Sequence, residues 1–263
     1  MLLAHDIAGT GPHVVLLHAG VADRNMWDPV MHGLTQVFRV LRPDLRGFGE
    51  TPLPAEDYVD ADDVAEVMDA CGMDDAVVVG NSLGGRVALE LATRHPARVR
   101  ELVLLSPAYP DLPPSDALHD FIAREETLLD AGDLEAAVAL NVDTWLGPAA
   151  DDDTRAALAR MQHRAFDIQL AAEADADVRG AAVGTPRPVP IDLDQIHVPT
   201  LVVSGAHDLD HFRAVAERLV AALPSAEHLD LDWAGHLPTL ENPDAIEPLL
   251  LDVLRDDPTV HAP

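Results

Sequence analysis

The sequence predicts an α/β fold, with a mostly parallel central sheet flanked by helices and an inserted helical cap. Three observations carry that prediction. Short apolar runs alternate with amphipathic helical patterns from residue 13 to residue 106, with short connections between them. Such alternation buries its apolar surface as a parallel sheet covered on both faces. From about 110 to 180 the rhythm breaks into alanine-rich helical sequence with no convincing strand, and strand signals resume only at Val198. These changes divide the chain into a first core segment at 1–109, a cap at 110–195 and a second core segment at 196–263.

Each element has its own signal. Residues 13–18 form a continuous apolar run, as expected of a strand buried on both faces. A short helix or helical loop follows at 24–36, and residues 38–44 read as the next strand, ending in a loop with Gly47 and Gly49. Residues 57–71 place Val59, Asp63, Val64, Val67, Met68 and Cys71 along one stripe, with acids opposite. A buried strand at 75–79 leads into a helix at 83–95 that Pro96 stops, and 101–106 is a further strand. The cap reads as helices at 116–131, 133–146 and 151–176, returning through a Pro/Gly-rich stretch at 180–190 expected to be extended and mobile. The second core segment supplies strands at 198–204 and 227–231 and helices at 211–222 and 244–255.

Composition removes several kinds of chemistry. A chain of 263 residues that is 48% hydrophobic can bury one large core. Its single cysteine, Cys71, rules out an intramolecular disulfide and a thiolate zinc site. All 17 basic residues are arginine, so Schiff-base and lysine-nucleophile catalysis are excluded. The 46 acidic residues give a formal charge of −29, which repels nucleic acid and anionic membrane. No apolar run approaches the roughly 18–20 residues needed to span a bilayer. The N-terminus has neither the basic region nor the long apolar core of a secretory signal, so cytoplasm is the expected compartment.

The chemistry is displayed in Val77-Val78-Val79-Gly80-Asn81-Ser82-Leu83-Gly84-Gly85, a buried-strand run that breaks into a G-x-S-x-G turn. Small residues on both sides of Ser82 let the backbone turn sharply and present the hydroxyl as a nucleophile. A serine hydroxyl needs an imidazole to take its proton and a carboxylate to hold that imidazole. Asp208 and His236 each follow a later strand, although Asp210 lies only two residues beyond Asp208. An oxyanion would be held by the backbone N–H of Leu83, at a helix start, and by that of Gly20 in the loop His18-Ala19-Gly20-Val21. His18 is expected to fix that loop by hydrogen bonds, Asn81 to pack or hydrogen-bond rather than carry a proton, and Asp44 with Arg46 to form an ion pair or loop network beneath the site. His207, Asp208, Asp210 and His211 lie at a strand-to-helix turn and are not read as a metal site. The acids 151–153 read as helix N-terminal charge. Phe121, Trp145, Phe166 and Met161 either line a substrate pocket or form the cap's own small core, with Trp145 the best pocket contact.

With these segments in hand, the chain resembles the α/β-hydrolase superfamily, in particular its capped serine esterases and lactonases, similar to enol-lactone hydrolases and cofactor-free perhydrolases. The resemblance rests on LLHAGVADRNMW at 16–27, RPDLRGFGETP at 42–52, GNSLGG at 80–85 and AGHLPTLENPD at 234–244, with GAHD at 205–208 a weaker match. It implies an α/β-hydrolase fold, Ser82 as nucleophile, His236 as base, Asp208 as acid and an oxyanion hole at Gly20 and Leu83. It also implies a small-molecule ester or lactone substrate, no cofactor, and a monomer or homodimer. Two departures stand out: the usual His-Gly pair is His18-Ala19 here, and the late start implies a shortened first edge strand or hairpin. Carbon–carbon bond hydrolysis, perhydrolysis and a triad-retaining ligand-binding protein remain alternatives. For carbon–carbon hydrolysis, Leu237 stands where such enzymes usually have Trp.

Overall fold

A computed structural model describes residues 1–255. The last residues of the second core segment, 256–263, lie outside the described residues. The sheet is built from β1 (His5–Ala8), β2 (His13–Leu17), β3 (Arg39–Pro43), β4 (Ala76–Asn81), β5 (Val99–Leu105), β6 (Thr200–Gly205) and β7 (Ala226–Leu231). Their spatial order is β1-β3-β2-β4-β5-β6-β7, with β1 antiparallel to β3 and every other pair parallel.

Every residue of β4 is buried, and its side chains divide by the two-residue period of a strand. Val78 joins Val15, Leu17, Leu102 and Leu104 on one face, whereas Val77 and Val79 join Val14, Leu16, Val103 and Leu105 on the other. Helices cover both layers: α1 (Asp28–Leu34), α2 (Asp60–Ala70), α3 (Leu83–Arg94), α7 (Asp210–Ala222), α8 (Pro238–Glu241) and α9 (Pro243–Arg255). The stripe read in α2 is observed, with Val64, Val67 and Met68 fully buried. Its first-turn acids favourably face the positive end of the helix dipole.

Between β5 and β6 stand three helices, α4 (Asp116–Asp130), α5 (Leu134–Trp145) and α6 (Asp152–Arg179). Each begins where a short polar side chain accepts an N–H three residues on: Ser115 from Leu118, Asp133 from Ala136, Asp151 from Thr154. Such caps contribute about 1 kcal/mol each. Helix α6 stops at Gly180, whose positive φ of 64° suits a residue without Cβ. The return segment is extended, as read, but it is tied down rather than loose. Gly184 and Arg187 donate backbone N–H groups to Pro54 and Tyr58, and Tyr58 donates to Thr185. Among the described residues no helix is long and apolar enough to cross a membrane.

Candidate active site

Strand β4 hands over to α3 at one residue. Ser82 has φ 52° and ψ −112°, and among the described residues only one other non-glycine residue, Ser106 at φ 41°, shares a positive φ. Backbone hydrogen bonds to neighbouring strands and loops hold both strained residues. Ser82 donates its N–H to Leu105 O, Ala108 donates to Ser82 O, and the buried Ser106 donates to Val203 O. The glycines make the corner possible by close approach. A Cβ on Gly80 would run into Gly84 O, and one on Gly84 into the carbonyl of Leu17. Helix α3 therefore begins directly against the end of β2, so the loop that follows β2 lies beside Ser82.

In that loop a Cβ on Gly20 would stand 3.5 Å from the Leu83 side chain, so the two proposed oxyanion donors belong to adjacent residues in space. His18 is fully buried and fixes the turn, its Nδ1 2.8 Å from Ala19 O while Leu45 donates its N–H to Nε2 at 2.9 Å. Burial holds this imidazole below the ordinary histidine value, which suits one donor and one acceptor nitrogen. Asp44 and Arg46 do not pair with each other. Asp44 takes the Arg24 N–H, the Arg24 guanidinium and the Glu50 N–H, while Arg46 binds both carboxylate oxygens of Asp63. Asp44 thus binds the loop after β2, and Arg46 binds helix α2.

His236 and Asp208 meet at the carboxyl end of the sheet. Nδ1 of His236 lies 2.7 Å from Asp208 Oδ2, and both side chains are almost entirely buried. Asp210, the neighbouring acid, instead accepts the Ser115 hydroxyl at 2.6 Å. Asn81 donates to Leu105 O and to His236 O, joining the nucleophile strand to the histidine loop. Ser82 is half-buried, and among the described residues no hydrogen bond joins its hydroxyl to the ring.

The cap reaches this histidine through aromatic rings. Trp145 lies 4.6 Å from the His236 ring, centroid to centroid, and Phe121 packs edge-on against Trp145 at 4.7 Å. Phe212 of α7, absent from the sequence reading, comes within 4.2 Å of His236. The indole N–H of Trp145 is fixed by Asn141 Oδ1 at 2.9 Å, and Asn141 donates in turn to Glu125. Met161 and Phe166 belong to the same buried cluster as Phe121 and Trp145, and each also lines an outer cleft. Met161 lines a cleft of about 440 Å³ with Asp23, Asn25, Arg160, Arg164 and Leu240. Phe166 lines a cleft of about 380 Å³ with Leu129, Gln169 and Leu170. Neither cleft includes Ser82 or His236 in its wall.

Sequence reasoning also missed Glu241, although the motif at 234–244 contains it. Its carboxylate is buried and accepts the N–H of Gly235 at 2.8 Å and of Leu237 at 2.9 Å, the two amides flanking His236. Burial raises this carboxyl above its ordinary value, against the opposing pull of the Gly235, Leu237 and Gly147 amides.

Comparison with known proteins places this arrangement. The family model of the α/β-hydrolase fold matches residues 12–243. The pimeloyl-(acyl-carrier protein) methyl ester esterase of Aromatoleum aromaticum is 34% identical over 266 residues, covering 93% of this chain and 98% of its own. A thermophilic esterase from Thermogutta terrifontis superposes with a TM-score of 0.78 at 27% identity, over 99% of this chain and 94% of its own. The enol-lactonase from Burkholderia xenovorans LB400 gives 0.72 at 26% identity, over 97% and 96%.

Proposed function

The chain belongs to the α/β-hydrolase family, and on that premise we propose that it hydrolyses a carboxylic ester or lactone through an acyl-enzyme on Ser82. The carrying observation is the pairing of a strained Ser82 at the strand-to-helix corner with His236 anchored through Nδ1 to Asp208 at 2.7 Å. With Nδ1 engaged, Nε2 is the nitrogen left to take the serine proton. Ser82 Oγ attacks the carbonyl carbon while His236 accepts that proton, and Asp208 stabilises the imidazolium that forms. The oxyanion accepts hydrogen bonds from the Leu83 and Gly20 amides. Collapse expels the alkoxide, which leaves with the proton from His236, and the same imidazole then activates water against the acyl-enzyme. The serine–imidazole hydrogen bond forms as substrate arrives, as such bonds often tighten only in the complex.

These residues and water close the cycle without a cofactor. Relatives named as esterases and an enol-lactonase support the acyl–oxygen bond as the one broken. The formal charge of −29 supports a small substrate that is not polyanionic. Trp145 is the cap side chain that meets the substrate, because its ring already covers His236. The deciding experiment is fluorophosphonate labelling with turnover of short-chain aryl esters and lactones, run beside Ser82→Ala. Wild type is expected to label and turn over, and the variant to do neither. Wild-type protein inert to the probe and to every ester overturns the reading, and halide oxidation with acetate and peroxide would redirect it to perhydrolysis.

A further inference from the structure

The last turn of the cap helix α5 and the histidine loop meet closely. Gly147 and Gly235 touch through their backbones: a Cβ on Gly147 would lie 2.6 Å from Gly235 N and 2.6 Å from Glu241 Oε2. A Cβ on Gly235 would likewise strike Gly147 N. Two residues away, His236 donates its N–H to Trp145 O at 3.1 Å, while the Trp145 ring packs on the His236 ring. The Glu241 carboxylate sits at the junction: it accepts the Gly235 and Leu237 amides of the loop, and Gly147 of the cap turn packs against its Oε2.

We propose that Glu241 is a positioning residue that binds the cap's Trp145–Gly147 turn and the His236 loop into one rigid unit, setting the imidazole's orientation toward Ser82. This rests on the hydrolase reading above. Backbone amides on both sides of His236 converge on one carboxylate, so the loop cannot rotate about His236 without breaking a buried bond. Asn81 holds the carbonyl side of the same residue at 3.1 Å. The imidazole is thus fixed from its own backbone as well as through Asp208. The cap is tied to the catalytic loop by the same group, so a displaced cap turn displaces the base.

Glu241→Gln tests this directly. The amide keeps the size but offers one acceptor oxygen, and turns an NH2 toward a backbone N–H that needs an acceptor. The expected result, per folded molecule, is a kcat about 10- to 100-fold lower, with KM within about threefold of wild type. The rate of fluorophosphonate labelling of Ser82 should fall in parallel. Gly147→Ala keeps the Glu241 carboxylate chemically intact but pushes a methyl group against it from the cap side, and is expected to lower kcat in the same way. Asn242→Ala removes the 3.2 Å cap to Ala245 N–H and serves as a stability control, lowering Tm while kcat stays at the wild-type value. If Glu241→Gln keeps wild-type kcat per folded molecule, the inference fails. Where that variant does not fold, wild-type kcat in Gly147→Ala overturns the inference equally. An unreactive wild type instead removes the hydrolase reading, so the two failures are distinguishable.

Discussion

Ser82 occupies a backbone conformation that costs on the order of 1–3 kcal/mol, and its N–H donated to Leu105 O, with the Ala108 and Arg86 amides donated to its carbonyl, holds it there. Ser82 was legible as a candidate because it sits among small residues after an apolar strand, and His236 because it follows a later strand in the expected order. Asp208 was less distinct from Asp210 in sequence. The structure separates them by what each faces, a buried imidazole in one case and the Ser115 hydroxyl in the other. Asp208→Asn should keep the fold and lower kcat by roughly 10³- to 10⁴-fold in an ester assay, because the amide no longer stabilises an imidazolium. Glu241 and Phe212 were not legible as site residues, since their roles arise from contacts across 4 to 24 positions that no local pattern encodes. The buried Asn81 carries an unpartnered Oδ1. Leaving such an atom unpaired costs about 1–3 kcal/mol, offset here by two carbonyls joined through its NH2.

Helices α2 and α3 are joined by a buried charge cluster in which Arg86 binds Asp60 at 2.7 Å and Glu90 at 3.1 Å. Two carboxylates share one guanidinium, and burial pushes the Glu90 carboxyl up to about 7. The folded state therefore holds that proton more tightly than the unfolded chain does. Its contribution to stability is complete below about pH 4.5 and is lost as pH rises through about 7. Glu90→Gln should raise Tm by a few degrees at pH 8 and flatten the Tm profile between pH 5 and 8, as read by calorimetry. A variant less stable than wild type at pH 8 would contradict this. At the nucleophile corner, Gly84→Ala should cost at least about 2 kcal/mol in chemical denaturation, because the added methyl strikes the Leu17 carbonyl. Most helices and inner strands were legible from periodicity. Strand β1 was not, being four residues long, half exposed and paired on one side only, so neither an apolar run nor a clean alternation marks it.

Across the whole molecule, 46 acids against 17 arginines leave a repulsive surplus that pairwise contacts absorb only in part. Exposed ion pairs such as Arg94 with Asp62 contribute about 0–1 kcal/mol each. Salt should therefore stabilise the protein: Tm is expected to rise by several degrees between 20 mM and 1 M sodium chloride, since the screening length shrinks to about 3 Å at 1 M. A falling Tm would show that attraction within the arginine pairs outweighs the surplus. The layered architecture was legible as a broken rhythm of strands and helices, while the junction between cap and core was not, because it joins backbone to backbone through two glycines. That junction bears on how the fold diversifies. The cap enters after β5 and leaves before β6, strands that lie side by side, so it looks like a cassette exchangeable between relatives without disturbing the sheet. Yet the turn at 145–147 travels with the cassette and docks on the loop that carries the base. A transplanted cap that changes this turn would alter turnover as well as substrate preference, so chimeras and natural recombinants should succeed only when the turn and the 234–241 loop are inherited together.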